Sequence, residues 1–129
     1  MSAADDRPHN PSRGQIWEID LNPKRGREQR GIRPCLVVST DALNRSKFGT
    51  VIICPITTRK RLAFRWRPGL TPEDLRVQAV GWRPRPHWIA TDQIVTVDTS
   101  RRALRHLATV INEDKMLDVD DSLRMLLDL

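Results

Sequence analysis

The chain has 129 residues, 39% of them hydrophobic, which is long enough for one compact domain and short for two. Its 22 basic residues outnumber its 16 acidic residues, and the formal net charge of +6 makes polyanions the first partners to consider. No apolar run approaches the roughly 20 residues of a membrane span, and the N-terminus lacks a stretch resembling a signal peptide, so we expect a cytoplasmic protein without membrane contact.

The first part of the chain predicts a tail, a strand and a basic loop. Residues 1–12 are polar and contain two prolines, which indicates a disordered or loosely packed tail before a single domain over residues 13–129. The aromatic and β-branched residues of GQIWEIDL favour a strand. The loop PKRGREQRGIRP follows, where five lysines and arginines accompany one acid, Glu28.

The middle of the chain is rich in strand signals. The apolar runs PCLVVST and GTVIICPIT predict strands that are covered on both faces or belong to a small barrel. DALNRSKFG, between them, is interpreted as a polar connector. Alternating apolar residues in LAFRWR predict a further strand.

The remainder predicts an irregular stretch, more strands and a helix. PGLTPEDLRVQAVGWRPRP is rich in Pro and Gly and should be irregular, apart from a short turn at residues 71–74. HWIATDQIVTVD predicts one strand, and ALRHLATV predicts a final strand or a helix leading into one. NEDKMLDVDDSLRMLLDL predicts an amphipathic helix that Asn112 caps. Strands followed by one late helix indicate a small α+β protein with a mostly antiparallel, barrel-like sheet.

Charge is unevenly distributed along the chain. Residues 112–129 carry a net charge of −4, so residues 1–111 carry +10 and should hold any anionic ligand. The alternative is that these basic residues only solvate the surface. Cys35 and Cys54 lie in apolar runs and should be small buried thiols. His9, His87 and His106 lie near no cysteine at zinc-ligand spacing, so we expect neither a metal site nor a cofactor.

Five stretches in order carry a resemblance to a known family: RGQIWEIDLNP, GREQRGIRPCLVVS, VIICPIT, DQI and the terminal amphipathic helix. Together they resemble the MazF/PemK toxins of bacterial toxin–antitoxin systems. The resemblance implies an SH3-like barrel with a C-terminal helix, usually assembled as a homodimer. It also implies metal-independent, sequence-selective cleavage of single-stranded RNA, in which the ribose 2′-hydroxyl attacks the adjacent phosphate to leave a 2′,3′-cyclic phosphate and a 5′-hydroxyl.

Three residues match the family's catalytic positions. Arg33, in GIRP, matches its catalytic arginine, and a guanidinium can grip a phosphate through two donors and stabilise a charged transition state. Thr57, in PIT, matches a strand-end hydroxyl that can donate to a phosphate oxygen. Glu28 matches the acid of the family's EQ pair, and could either accept the 2′-hydroxyl proton or orient neighbouring arginines.

Other residues are expected to contact RNA. The loop arginines should attract the RNA backbone, and Thr58 could substitute for Thr57. The sequence TDQIV matches the family's acid-Gln-Ile strand, whose side chains line the groove or the dimer contact. The predicted RNA-binding residues are Arg25, Arg27, Gln29, Arg30, Asn44, Thr58, Arg59, Asp92 and Gln93.

Two departures from the family pattern are visible. Val95 stands where the family usually has Arg or Lys. The stretch LRVQAVGWRPRPHW is long and rich in tryptophan, so Trp82 and Trp88 with Arg83 and Arg85 could stack on bases and contact phosphates. The same side chains could instead pack on the barrel or a dimer partner. The histidines show no pattern that favours an imidazole-pair ribonuclease.

The resemblance also implies a partner, a cognate antitoxin whose acidic, partly disordered segment would cover a basic RNA groove. Two other functions stay open. CcdB toxins share the fold and inhibit gyrase through protein contact, without nuclease activity. A non-enzymatic nucleic-acid-binding barrel is the second, because positive charge predicts binding rather than cleavage.

Overall fold

The computed structural model describes residues 10–22, 31–59 and 66–129. The described part contains eight strands, three α-helices and two 3₁₀ turns. The strands are β1 Gln15–Asp20, β2 Ile32–Val37, β3 Thr50–Thr57, β4 Gly69–Leu70, β5 Leu75–Val77, β6 His87–Ile89, β7 Val95–Asp98 and β8 Ala103–Val110. The helices are α1 Asp41–Asn44, α2 Thr99–Arg102 and α3 Glu113–Leu127, and the 3₁₀ turns are Pro72–Asp74 and Thr91–Gln93.

The strands form one curled antiparallel sheet in the order β4-β6-β3-β2-β1-β8-β5, with β7 also paired to β3. Within the described residues the two outer strands, β4 and β5, do not pair with each other, so the sheet is a half-barrel. The predicted α+β class, with a mostly antiparallel barrel-like sheet and a C-terminal helix, is therefore confirmed.

The central strands are buried on both faces, as their continuous apolar runs predict. Ile16, Leu36 and Cys54 belong to one core cluster, whereas Trp17 and Cys35 belong to a second. Neighbouring residues of a strand point to opposite faces, so the alternation assigns each cluster to one side of the sheet. Burial of Cys35 and Cys54 is confirmed.

The segment HWIATDQIVTVD is not one strand, as predicted, but two strands along the same edge of β3. Ile89 pairs with Ile56 and Val95 pairs with Ile53, so the five residues between Ile89 and Val95 face only two residues of β3. The carbonyl of Pro55 faces this edge and accepts the Ala90 N–H at 2.8 Å. Its ring nitrogen faces the same edge and has no hydrogen to donate, which interrupts the ladder where the 3₁₀ turn begins.

Helix α3 confirms the predicted C-terminal helix. The Asn112 side chain accepts the Asp114 N–H and caps it. Val119 is fully buried in the core, and Met116 and Leu123 pack against it. The last turn of the predicted apolar stripe, Leu126 and Leu127, remains exposed. No helix in the described ranges is long and apolar enough to span a membrane.

Several other predictions need correction. The polar connector contains α1, which begins after the capping residue Thr40. The irregular stretch contains β4 and β5 on either side of the predicted turn, which is a 3₁₀ turn. For ALRHLATV the first of the two predicted alternatives is confirmed, because the segment is strand β8, and a short helix precedes it.

Two predicted segments fall largely outside the described residues. Residues 62–65 of LAFRWR lie outside the described residues, and its last two residues, Trp66 and Arg67, lie in a turn. Residues 1–9 of the predicted tail also lie outside the described residues. The end of that tail is packed, because Pro11 is buried and the Ser12 N–H donates to Gln15 at 2.8 Å.

Candidate active site

A cavity of about 230 Å³ lies where β2, the end of β3 and the loop before β6 meet. Its lining combines cationic, hydroxyl, aromatic and imidazole groups. The lining residues are Arg33, Pro34, Ile56, Thr57, Thr58, Arg59, Trp82, Arg83, Arg85 and His87. Four of the ten are arginines and none is an acid, so among the described residues this cavity has the charge that a phosphate would require.

The register of the sheet explains why Arg33 and Thr57 share this cavity. Cys35 pairs with Pro55 on neighbouring strands. Continued by two residues, the same register aligns Arg33 with Thr57, and both lie on the same face because strand side chains alternate with a period of two. Arg33 also pairs with Ile19 of β1 and precedes Pro34, which holds its backbone extended.

The hydroxyl of Thr57 is positioned by its own turn. Thr57 is 9% exposed, and its Oγ1 accepts the Arg59 N–H at 3.2 Å. A hydroxyl that accepts one hydrogen bond can still donate its own proton. Thr58 and Arg59, which follow the strand, are exposed at the mouth of the same cavity.

The loop before β6 supplies the opposite wall. Trp82 packs against the core and stacks on His87, with ring centroids 6.1 Å apart and an interplanar angle of 28°. Arg83 and Arg85 are exposed. Trp82 therefore satisfies both alternatives left open by its sequence, since it packs on the barrel and also lines the cavity. Trp88 is partly buried and its indole lies against Gly69, as expected from packing.

His87 is the site residue that sequence reasoning missed. His87 is 6% exposed as a residue, and its Nδ1 lies 2.5 Å from the Arg85 carbonyl oxygen. Burial is the largest influence on the pKa of His87 and lowers it. The only sequence signal was its position at the end of a stretch with two arginines and a tryptophan. His106, by contrast, stacks on Trp17 away from the cavity, with ring centroids 5.3 Å apart.

Three predicted RNA-binding residues lie elsewhere. Asn44 is buried, where its side chain bonds to Ser39 and its Nδ2 donates to Asp41 at 3.0 Å. Asp92 and Gln93 lie in the 3₁₀ turn and do not line the cavity. The carboxylate of Asp92 accepts two hydrogen bonds from Arg67, at 2.6 and 2.7 Å.

The remaining predicted site residues, Arg25, Arg27, Glu28, Gln29 and Arg30, lie outside the described residues. The two ends of their loop are joined at its base. The Leu21 N–H donates to the Gly31 carbonyl at 2.9 Å, and the Asn22 side chain accepts the Gly31 N–H at 3.1 Å. Gly31 has a φ of +82°, a conformation that favours glycine, so the chain turns there into β2.

A second cavity, of about 340 Å³, lies between Trp66 and helix α3. Asp118 and Asp121 contribute to its wall, together with Met125, and no cation is among its described lining residues. A phosphate would be repelled there, so the arginine-lined cavity is the candidate site for an anion. Within the described ranges, no three His, Cys, Asp or Glu side chains are grouped so as to hold a metal ion.

Comparisons with known proteins agree with this architecture. MazF from Deinococcus radiodurans is 26% identical over 92% of this chain and 97% of its own, with a TM-score of 0.71. An endoribonuclease in complex with its cognate antitoxin, from a mycobacterial species, is 24% identical over 93% of this chain and 95% of its own, with a TM-score of 0.67. The MazE-MazF complex from Deinococcus radiodurans is also 24% identical, over 93% and 97% of the two chains, with a TM-score of 0.66.

The family model of the PemK-like, MazF-like toxins of type II toxin-antitoxin systems matches residues 12–127. This match spans the half-barrel, the arginine-lined cavity and helix α3, and the chain belongs to that toxin family.

Proposed function

We propose that this protein is a sequence-selective endoribonuclease that cleaves single-stranded RNA without a metal ion. The observation that carries the proposal is the arrangement of Arg33 and Thr57 in one cavity lined by four arginines. Family membership supports the same activity. The proposed products are a 2′,3′-cyclic phosphate and a 5′-hydroxyl, formed when the ribose 2′-hydroxyl attacks the neighbouring phosphate.

Arg33 and Thr57 would act on the scissile phosphate. The guanidinium presents parallel N–H donors that match two phosphate oxygens, and its charge offsets the charge that builds up in the transition state. The Thr57 hydroxyl would donate to a third oxygen. The flanking cations Arg59, Arg83 and Arg85 would hold neighbouring phosphates, which fixes the strand along the cavity.

We assign the remaining RNA contacts to the loop at residues 23–30. Arg25, Arg27 and Arg30 would draw in the RNA backbone, while Gln29 contacts it and Glu28 either accepts a proton or orients the arginines. These roles rest on the sequence alone. For Asn44 and Asp92 we propose structural roles, because both side chains are bonded within the protein.

We further propose that the protein acts in the cytoplasm as a homodimer that a cognate antitoxin neutralises. Two of the similar solved structures are toxins bound to their antitoxins. An acidic, partly disordered antitoxin segment would suit a cavity with four arginines and would compete with RNA for it.

The test is cleavage of a long single-stranded RNA in EDTA by purified protein free of antitoxin, with the new ends mapped by primer extension. We expect discrete cuts with 5′-hydroxyl ends. Arg33→Ala should lower the cleavage rate by roughly 10²- to 10³-fold, the effect of removing one group that stabilises a transition-state charge. Arg101→Ala removes an equally exposed positive charge from α2, outside the cavity, and serves as the matched control.

Binding distinguishes this enzyme from a pure nucleic-acid-binding barrel. Arg33→Ala should retain most of its affinity for a 2′-deoxy RNA analogue that cannot be cut, because three cavity arginines remain. Intact RNA after incubation with folded wild-type protein would contradict the proposal. Gyrase inhibition or simple RNA binding would then be the functions to measure.

A further inference from the structure

His87 occupies the same cavity as the two residues proposed to act on the phosphate. It is the first residue of β6, where Trp88 pairs with Thr57. Because side chains alternate along a strand, His87 projects from the face of the sheet opposite Trp88 and Thr57, on the side of its partner Leu70. It lines the cavity at the end of β3, to which Arg33 and Thr57 also contribute. Stacking on Trp82 fixes the plane of the imidazole.

Hydrogen bonding fixes which ring nitrogen of His87 carries the proton. A backbone carbonyl oxygen can only accept, so the 2.5 Å contact between Nδ1 and the Arg85 carbonyl requires a proton on Nδ1. Nε2 of the neutral ring therefore has a free lone pair. The hydrogen bond of this ring to the described part of the chain is made by Nδ1, which leaves Nε2 as the nitrogen that can accept a proton.

Burial and one nearby charge favour the neutral form of the His87 ring. Arg33 of β2, Arg59 after β3, and Arg83 and Arg85 of the preceding loop line the same cavity, and β4, which pairs with His87 through Leu70, contributes no charge. No described residue of the cavity lining is an acid. Burial and the Arg85 charge lower the pKa of His87 and outweigh the hydrogen bond to the Arg85 carbonyl, which raises it.

We propose that His87 is a further catalytic residue, whose Nε2 accepts the proton of the ribose 2′-hydroxyl. The inference rests on the proposed ribonuclease function and assigns the 2′-hydroxyl proton to His87, which leaves Glu28 the role of orienting the loop arginines. A guanidinium stays protonated at any physiological pH and a threonine hydroxyl is a poor base, so neither Arg33 nor Thr57 serves this purpose. Among the described lining residues, His87 alone can exchange a proton near neutral pH.

The 2′-oxygen transfers its proton to Nε2 while its bond to phosphorus forms, and the bond from phosphorus to the 5′-oxygen breaks. The departing 5′-oxygen takes a proton from solvent, and the imidazolium returns its proton to solvent. Burial and the Arg85 charge favour that return, since both disfavour the charged imidazolium.

The experiment compares single-turnover cleavage rates of His87→Gln, His87→Asn and wild-type protein between pH 4.5 and 8. The Asn amide can keep a donor near the Arg85 carbonyl, and the Gln amide can reach the Nε2 position, but neither amide accepts a proton. We expect both variants to lose roughly 10²- to 10⁴-fold in rate, the usual size of a general-base effect, with little change in KM. His106→Gln is the control, because His106 is also partly buried and stacked but lies outside the cavity.

The pH profile gives a readout that a structural role would not change. The wild-type rate should rise with pH through an inflection below 6.5, the ordinary histidine value, and this inflection should disappear in both His87 variants. Glu28→Gln should keep the inflection.

Three results would overturn the inference: a wild-type rate that does not change with pH in this range, His87 variants that cleave at the wild-type rate, or variants that retain the inflection. Failure of the proposed function is a separate outcome, because wild-type protein would then produce no cuts at any pH.

Discussion

Arg33 and Thr57 lie opposite each other when the register of β2 and β3 is continued two residues past its last pair, Cys35 with Pro55. Both residues line the arginine-rich cavity. Residues opposite each other on neighbouring strands have Cβ atoms about 5 Å apart, and this distance does not depend on the conformation of a loop. The backbones of the two residues proposed to contact the phosphate are therefore held by neighbouring strands of the sheet.

The first prediction separates two adjacent hydroxyls. Thr57→Val keeps the shape of the side chain and removes the hydroxyl, and we expect the cleavage rate to fall by about 10²-fold, because a donor to the phosphate is lost. Thr57→Ser should restore most of the rate. Thr58→Val makes the same change at the exposed neighbouring residue and should cost less than about 3-fold if Thr57 is the donor. Equal losses at both positions would show that the two hydroxyls share the role.

The second prediction concerns the thiols. Leu36 pairs with Cys54, so Cys35 and Cys54 project from opposite faces of the sheet and cannot form a disulfide. Burial raises the pKa of Cys54 to about 12 and that of Cys35 further. We expect no labelling by iodoacetamide at pH 8 in folded protein and two labels per chain in urea. Rapid labelling of the folded protein would contradict this packing.

The strands and the terminal helix could be predicted because their signals are local. Runs such as VIICPIT contain β-branched residues, and the apolar spacing around Val119 has the helical period. Arg33 and Thr57 could be predicted because the family motif includes them. No local signal showed that HWIATDQIVTVD forms two strands with a 3₁₀ turn between them. The strand pairing stops after Ile89 because of the orientation of Pro55, which belongs to a different strand.

Contacts between distant parts of the chain also explain where the predicted site residues differ from those that line the cavity. His87 reaches the cavity only because β6 pairs with the end of β3, where Trp88 lies opposite a residue 31 positions earlier. Asn44 looks like an exposed amide in the sequence, but α1 turns it inward onto Ser39. Asp92 looks like a groove acid, but its partner Arg67 lies 25 residues earlier. Such pairings depend on tertiary structure, which a pattern along the chain does not contain.

The third prediction tests the cavity as a phosphate channel. Affinity for a single strand falls with salt, with a log–log slope of about −0.7 for each phosphate contacted. Arg59→Ala, Arg83→Ala and Arg85→Ala should each make this slope shallower by about 0.7 and weaken binding similarly for all sequences. The measurement is fluorescence anisotropy with a 2′-deoxy analogue between about 50 and 300 mM salt. Arg101→Ala should leave the slope unchanged. An unchanged slope in one of the three cavity variants would mean that the substituted arginine does not contact a phosphate.

The fourth prediction concerns the pair of Arg67 and Asp92. The Arg67 side chain is 6% exposed and that of Asp92 is 30% exposed, and two hydrogen bonds join them. Asp92→Asn takes the negative charge away from the two hydrogen bonds that the buried Arg67 guanidinium makes to it, so the free energy of unfolding should fall by about 3 kcal/mol, the lower end for a broken buried pair. Asp121→Asn breaks an exposed pair with Arg124 and should change the free energy of unfolding by less than about 0.5 kcal/mol. Urea denaturation measures both values.

The pH dependence of this stability has a definite sign. The hydrogen bonds from Arg67 are the main reason that the pKa of Asp92 lies below its usual value. A carboxyl with a depressed folded pKa stabilises the protein fully above its unfolded pKa, near 4, and loses that contribution as the pH falls through the folded value. The difference in Tm between wild type and Asp92→Asn should therefore be constant from pH 7 to about 5 and should narrow below about pH 4. A difference that stayed constant down to pH 2.5 would mean that the Asp92 charge does not stabilise the fold, and the carboxylate would again be available for a role at the RNA groove.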